Sequence, residues 1–409
     1  MKLRDRIQLI PRNNWDYGIL ALFRSLAGMS NHAAKSPNME KIFQQNPIWT
    51  NTGRTSLYAI LKSLELPEGA KVGVPLFCCS VVFDAISQAG FIPRFIDSNL
   101  QDCNISAGDL RDKQAELSAV IAVHMFGNPC DMESVLAAAD GLPVIEDCAQ
   151  SILSTYHDQQ TGLLSTASFF SFRCGKYISA GEGSAIFCRD KELRIKIERI
   201  VSSFDGWKSM EMFTHALSTF VKATLYNRPW YGMIGHPVGM RLDKKLNLTA
   251  KNGFQTGKIA PTHRTLTEER IHNFQEKIDL QREHAQILTD LLVPFNFNLP
   301  SEGEGCSSNW FQFALRFHNT TQRAVMAETL FHHGIDTSKY LDDIVDEARS
   351  KYGYHDDCPN AELLSKTVLL IPIHYSLHLS DIEHIAQSIQ ESSQKIELQE
   401  DAKAAQITL

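Results

Sequence analysis

The sequence has no stretch of about 18 uninterrupted apolar residues, the length a membrane-spanning helix needs, so no integral span is expected. It has no C-x-x-C pair among its nine cysteines (residues 78, 79, 103, 130, 148, 174, 188, 306 and 358). An odd set of thiols, placed mostly in apolar runs, reads as reduced core residues and not as a disulfide framework. It has no Lys/Arg run long enough to make a basic stripe, and 40 basic against 47 acidic residues leave a formal charge of −7. No nucleic-acid partner is expected from that balance. It also lacks a secretory start: Met1 to Ile10 alternates charged and apolar residues, where a signal would show a cationic start and then a continuous apolar stretch. A cytoplasmic location is the expectation. What the chain does have is apolar material, 43% hydrophobic against 21% charged over 409 residues, enough for a large core divided into two or three domains.

From Asn51 to Asp190 short β-branched or apolar runs alternate with helical stretches, punctuated by Gly, Pro or Asp. This is the pattern of crossover-linked parallel strands, and an α/β fold. The strand candidates are Lys71 to Val74, Ile92 to Asp97, Ala119 to His124, Pro143 to Asp147, Ala167 to Phe172 and Gly183 to Cys188. Between them Thr55 to Leu64, Val81 to Ala89 and Met132 to Ala139 show helical apolar spacing. Residues 206–262 break the rhythm with Gly, Pro and aromatic residues, and Met210, Phe213, Leu217, Phe220 and Leu225 mark one amphipathic helix there. The segment reads as an insertion or lid whose aromatic clusters pack on the protein's own core or meet a partner subunit, a hydrophobic substrate or a membrane surface. A long charged helical stretch, Thr265 to Leu292, leads into a second αβ region. Trp310 to Phe317 and Thr367 to Ile371 are its strands, Thr321 to His333 and Ser380 to Ser392 its helices, and a polar tail follows Ser393. The division expected is a large domain over residues 1–262, with 206–262 as an insertion or lid-like segment, and a linking helix with a small C-terminal α/β domain over 263–409.

The chemistry concentrates in Val144-Ile145-Glu146-Asp147-Cys148-Ala149-Gln150, followed 29 residues after Asp147 by Lys176 in Phe170-Ser171-Phe172-Arg173-Cys174-Gly175-Lys176. An Asp at the carboxyl end of a buried strand points into the crevice where α/β sheets hold ligands, and a lysine just past another strand can reach the same place. Pyridoxal phosphate asks for such a pair: an amine to form the Schiff base, and a carboxylate to keep the pyridine nitrogen protonated. A bare Asp and Lys at this separation are equally read as a structural ion pair or as unrelated residues.

The surrounding words are similar to those of the DegT-type aminotransferases, which act mainly on nucleotide-carried keto sugars. In order they are Thr52-Gly53-Arg54-Thr55-Ser56-Leu57, Val74-Pro75-Leu76-Phe77, Phe95-Ile96-Asp97, Val123-His124-Met125-Phe126-Gly127-Asn128-Pro129-Cys130-Asp131-Met132, the Glu146-Asp147 word, Phe170-Ser171-Phe172 with Lys176, and Gly181-Glu182-Gly183. The likeness returns in Cys358-Pro359-Asn360-Ala361-Glu362 and Leu369-Leu370-Ile371-Pro372-Ile373-His374. It implies a fold-type I, aspartate-aminotransferase-like homodimer with pyridoxal 5'-phosphate held in the large domain near the subunit interface. Lys176 matches the Schiff-base lysine, Asp147 the pyridine-nitrogen partner and Gln150 the amide that reaches the cofactor's phenolic oxygen. Gly53 and Arg54 match the turn whose N–H groups meet the phosphate at a helix start, and Ser171 a hydroxyl donor to it.

Three departures stand against the family pattern. Arg54 replaces a small hydroxyl residue, and either contacts the phosphate or points to solvent. Cys79 falls where many relatives carry the ring that stacks on the cofactor, which leaves Phe77 or Phe126 to cover the pyridine face. The Gly-x-Asn-x-Arg word that relatives contribute from the neighbouring subunit is missing, and Gly257 to Arg264 occupies roughly its place. His124, Glu182, His374 and the adjacent pair His332-His333 are weaker candidates. His124 reads more readily as a structural histidine, and neighbours on a helix point about 100 degrees apart and cannot share a metal. No metal site is expected. The function implied is transfer of an amino group, with glutamate as donor, to a keto sugar for amino-sugar or surface-polysaccharide assembly. The rivals are a sugar dehydratase on the same fold, in which a histidine replaces the lysine, and an inactive relative that kept the pocket.

Overall fold

The computed structural model describes residues 6–30, 35–239, 254–295 and 297–407, with side chains described as far as residue 393. The strands are β1 Ile48–Thr50, β2 Lys71–Pro75, β3 Ile92–Ile96, β4 Ala119–Val123, β5 Val144–Asp147, β6 Thr155–Tyr156, β7 Gln159–Gln160, β8 Ala167–Ser171, β9 Ser184–Phe187, β10 Cys306–Ser307, β11 Phe313–Arg316 and β12 Val368–Ile371. Seven of them form the central sheet in the order β1-β9-β8-β5-β4-β2-β3. The pairs β2/β3, β2/β4, β4/β5 and β5/β8 are parallel, so β4 and β5, covered on both faces, are buried at every residue.

Two strands depart from the expected pattern. β9 runs antiparallel to β8, and β1 antiparallel to β9. The link from β8 to β9 holds no helix; it turns back through Gly175, Gly181 and Gly183, all at positive φ. The segment that turns back is the one that carries Lys176. β1 escaped the sequence reading because three residues are too few to show a period. Its pairing of Trp49 with Ala185 nevertheless fixes where the following helix, Gly53–Ser63, begins. That helix is capped by Thr52, whose hydroxyl accepts from the Thr55 N–H at 3.3 Å, and it buries Leu57, Ile60 and Leu61 on the sheet.

The stretch expected as one long helix is two, Pro261–Ile271 and Gln275–Leu292. The break lets them serve different cores. Leu266 and Ile271 pack in the cluster around Phe170 and Phe172, whereas Ala285, Leu288 and Leu292 join Phe313, Leu315, Leu369 and Ile371. This last cluster is the centre of the small unit, a β11/β12 antiparallel pair with the helices Thr320–His332 and Leu379–Ile407. Ile10 belongs to it as well, through a bridge to Ile335, so the N-terminal segment runs between the two units. All nine cysteines are free thiols; seven are buried, while Cys306 is half-buried and Cys79 exposed.

Candidate active site

Asp147 ends β5 and Lys176 follows β8, the strand paired with β5, so the sheet brings both to one edge. They line a cavity of about 330 Å³ together with Gln150, Ser171, Gly53, Arg54 and Cys79. All seven residues singled out in the sequence therefore meet in one hollow. The side chains of Lys176 and Asp147 feel one another electrostatically. Burial lowers the amine to about 8, against a raising effect from Asp147 and a further lowering effect from Arg173. Burial raises the Asp147 carboxyl above the usual carboxylate range, while a hydrogen bond from the Ala149 N–H at 2.9 Å and the charge of Lys176 act the other way. The Lys176 Nζ stands over the Phe311 ring at 5.4 Å from its centroid.

Gln150 is buried, and its Oε1 accepts from the Phe126 N–H at 3.2 Å. Its Nε2 meets only the Met125 sulfur at 3.7 Å, a weak acceptor, which leaves donor capacity for a ligand oxygen. On the opposite wall the Gly53–Ser63 helix opens onto the cavity at its N-terminus. A chain of buried hydroxyls from Thr50 through Ser56 to Ser184 pins this helix start to β1 and β9. A Cβ built on Gly53 would lie 3.3 Å from the Phe169 ring and 3.7 Å from Ser171 Cβ, so the helix start sits against β8 beside the Ser171 hydroxyl. The Arg54 guanidinium stacks on Phe254 at 5.1 Å while its side chain still lines the cavity.

Several lining residues were not found in the sequence. Tyr340, which packs on the core that holds Phe77 and Phe126, lines the hollow near Cys79, Asp147 and Arg173, with burial pushing its phenol up. Neither Phe77 nor Phe126 lines the cavity: Phe77 is fully buried beneath Phe126, which packs in turn on Tyr340 at 5.7 Å. Neither of the two phenylalanines expected at this wall reaches the cavity, whereas the Tyr340 ring lines it. Arg12, Arg173, Phe311 and Gln312 complete the rim. Arg12 is held by Asp336 at 2.6 Å, which in turn accepts from the Tyr231 hydroxyl. No local pattern marks these residues, because they arrive from four separate stretches of chain.

Asn309, fully buried, ties the floor together. Its Nδ2 donates to the carbonyls of Gln150 and Ile152, each at 2.9 Å, and its N–H donates to the Ser154 hydroxyl at 3.0 Å. Gly127 has φ +90°, and a Cβ there would sit 1.9 Å from Asn309 Oδ1, so only glycine fits.

Apart from Glu182, the remaining candidates do not line the cavity. His124 Nδ1 accepts from the Cys130 N–H at 3.0 Å, which puts its proton on Nε2 and directs it to Glu146 at 3.1 Å. Glu146 also accepts from the N–H groups of Gly162 and Leu164, so this buried group, with Cys148 close by, is a hydrogen-bonded strut under the sheet edge. Glu182 lines the cavity, 3.8 Å from His215 Nε2. His374 lies behind Lys176, with its Nε2 on the Pro11 carbonyl at 3.1 Å. His332 is exposed, beside Glu328 at 3.9 Å. Of the Gly257 to Arg264 word, the Gly257 carbonyl accepts from Asn51 N–H at 2.9 Å, and Ile259 and His263 press on Gly183 and Gly181, so it borders the cavity of its own chain.

A model of the DegT/DnrJ/EryC1/StrS aminotransferase family matches residues 39–390. GDP-perosamine synthase of Escherichia coli O157:H7 is 34% identical over 175 residues, 41% of this chain and 48% of that protein. The dTDP-4-dehydro-2,3,6-trideoxy-D-glucose 4-aminotransferase of Saccharopolyspora spinosa is 25% identical over 398 residues, covering 95% of this chain and 93% of that one. The chain spans about half the length, or less, of the first curated relatives it matches. Among solved structures, a putative sugar aminotransferase of Streptococcus pneumoniae in its PMP form superposes with a TM-score of 0.76 at 14% identity, over 96% of this chain and 100% of that one. At that identity the likeness speaks for the fold, which is that of the family.

Proposed function

This chain belongs to the DegT/DnrJ/EryC1/StrS aminotransferase family, and we propose that it is a pyridoxal-phosphate-dependent aminotransferase that moves an amino group from glutamate to a keto sugar carried by a nucleotide. The observation that carries the reading is the convergence on one cavity of an amine near pKa 8, a buried carboxylate and an open helix N-terminus. That donor set fits a phosphorylated pyridine aldehyde, one polar group for each of its polar corners. When bound, the cofactor supplies an electron-accepting ring that makes the donor's Cα–H acidic.

The chain's own residues have separate tasks. Lys176 would be the residue that holds the cofactor's aldehyde carbon, and its Nζ would serve as the base that carries the donor's α-proton to the cofactor, work suited to an amine poised near neutral pH. Asp147 would pair with the ring N–H and keep it protonated, and a cationic ring there would relieve the cost of burying the carboxylate. Gln150 Nε2 donates to the phenolic oxygen. The N–H groups of Gly53 and Arg54, with the Ser171 hydroxyl, take the phosphate. Tyr340 and Cys79, which line the cavity, would flank the ring. Arg173, exposed at the rim, draws the donor's carboxylate.

The two relatives, each named for a nucleotide-linked sugar, support the acceptor class. Retention of lysine at position 176 supports transamination over dehydration. The family's usual assembly supports a homodimer, and a nucleotide-sugar substrate supports a cytoplasmic enzyme. The test is a spectrum of the protein loaded with pyridoxal phosphate, recorded before and after glutamate. The lysine-bound absorbance should fall as 2-oxoglutarate forms, and a panel of nucleotide-linked keto sugars should restore it. A loaded protein that leaves glutamate and other amino acids unchanged would sink the proposal.

A further inference from the structure

The helix Ser209–Leu225 buries Met212, Ala216, Thr219 and Ala223 against the body of the protein. Its other side is also apolar. Met210, Phe213, Leu217 and Val221 follow one another at helical spacing and are 71%, 44%, 45% and 49% exposed. The neighbouring helix Ile19–Ala27 repeats the arrangement: Ala21 and Leu22 face inward into the core that Ala216 and Ala223 share, while Ile19, Leu20 and Phe23 are 54%, 57% and 63% exposed. The face continues through Trp230 and Ile234 to Ile7, because the Arg6 carbonyl lies directly against Gly232. Of the nineteen large apolar side chains exposed among the described residues, eleven come from residues 7–23 and 210–238. Single exposed apolar residues need no explanation, but a gathered set marks a contact surface.

Charge decides what that surface meets. Among the described residues of 206–258, four are Lys or Arg (Lys208, Lys222, Arg228 and Lys258) and one is acidic (Glu211), a local balance of +3 in a chain whose total is −7. Lys208 and Lys222 stand exposed at the two ends of the apolar helix and make no ion pair among the described residues. Glu211, the one acid on that helix, is turned to the Lys208 N–H at the helix start, 3.0 Å away. A two-fold contact between copies through this face would set its cations against themselves. An apolar stripe flanked by lysines is instead what an interfacial helix presents to a lipid surface, with apolar side chains at the acyl boundary and ammonium groups at the phosphates.

We propose that this face docks the protein in the plane of an anionic phospholipid bilayer, as a peripheral and not a spanning attachment. Among the described residues no helix is long and apolar enough to cross a membrane.

The test is co-sedimentation of the full chain with vesicles of phosphatidylcholine alone and of phosphatidylcholine mixed with phosphatidylglycerol, read as protein in the pellet. The expected result is pelleting with the mixed vesicles only, weakened by salt. It should be lost in the variant F213S/L217S and reduced about tenfold or more in K208E/K222E, since each lysine near the surface contributes roughly fivefold. Absorbance of the bound cofactor and the circular dichroism of each variant report folding, and the lysine variant, changed only at exposed positions, decides the matter if the apolar one fails to fold. Three results overturn the proposal: wild-type protein that stays in the supernatant with both vesicles; pelleting that ignores phosphatidylglycerol and the lysine substitutions; or a change from dimer to monomer in F213S/L217S by light scattering, which would make the face a contact between copies.

Discussion

The Lys176 amine and the Asp147 carboxylate line one cavity at the edge of the parallel sheet, and burial moves them in opposite directions, the amine down to about 8 and the carboxyl up. Each is held away from its charged form by the same dry surroundings, and each is eased back by the other's charge. Two groups whose environments disfavour charge, with a hollow between them, are arranged for a ligand that can interact with both.

Lys176→Ala should abolish fixation of pyridoxal phosphate by borohydride and lower the glutamate half-reaction by at least about a thousandfold. The same substitution has a stability signature in the cofactor-free protein. The folded-state value lies below the ordinary lysine value of 10.5, so wild-type stability falls as pH drops from 10.5 towards 8 and carries the full penalty below that. The alanine variant escapes the penalty. It should melt higher than wild type at pH 7, by up to about 3 kcal/mol, and the gap should close above pH 10.5. Trapping at another lysine would refute the assignment.

Asp147→Asn should weaken cofactor retention and slow the half-reaction by about a hundredfold or more, because the neutral amide cannot hold a proton on the ring nitrogen. A folded-state carboxyl raised above its unfolded value contributes stability at low pH that is lost as pH rises through the raised value. The cofactor-free variant should therefore gain on wild type as pH rises above the ordinary carboxylate value of 3.8, as read from paired thermal melts. A variant that loses stability over that range would contradict the burial argument.

Tyr340 offers the ring that position 79 does not. Tyr340→Ala should reduce cofactor affinity about tenfold, while Tyr340→Phe stays within about twofold of wild type, since the stacking area and not the hydroxyl is at stake. Equilibrium dialysis against pyridoxal phosphate measures both. Equal losses in the two variants would assign the effect to the phenol.

Asn309→Ala should cost about 2–4 kcal/mol, because the carbonyls of Gln150 and Ile152 lose their buried donor. Denaturant titration gives the loss. A shifted absorbance of the bound cofactor would show that the Gln150 loop had moved with it.

The sheet and the two acid–base groups were legible in the sequence because each is a local signal. β2 to β5 are short apolar runs between helices, and Asp147 and Lys176 each close or follow such a run. The turn-back of β9 was not legible: apolar alternation says that a segment is a strand and nothing about its direction. Nor could the split between Ile271 and Gln275 be read, since it answers to two cores on different sides of the helices. The cysteine at 79 leaves that position without a ring, and the tyrosine that lines the cavity beside it comes from 261 positions away.

What the sequence determined by itself was the kind of chemistry: a lysine, an aspartate, a glutamine and a glycine-led helix start, each tied to its own strand by a few neighbouring residues. What only the tertiary structure decided was the enclosure, namely Tyr340, Phe311 and Arg12 around the cavity and Asn309 beneath it. The physical reason is range. Strand ends and helix caps are set by bonds between near neighbours, whereas a wall built from several distant segments exists only after two hydrophobic cores have packed together and carried those segments to the same place.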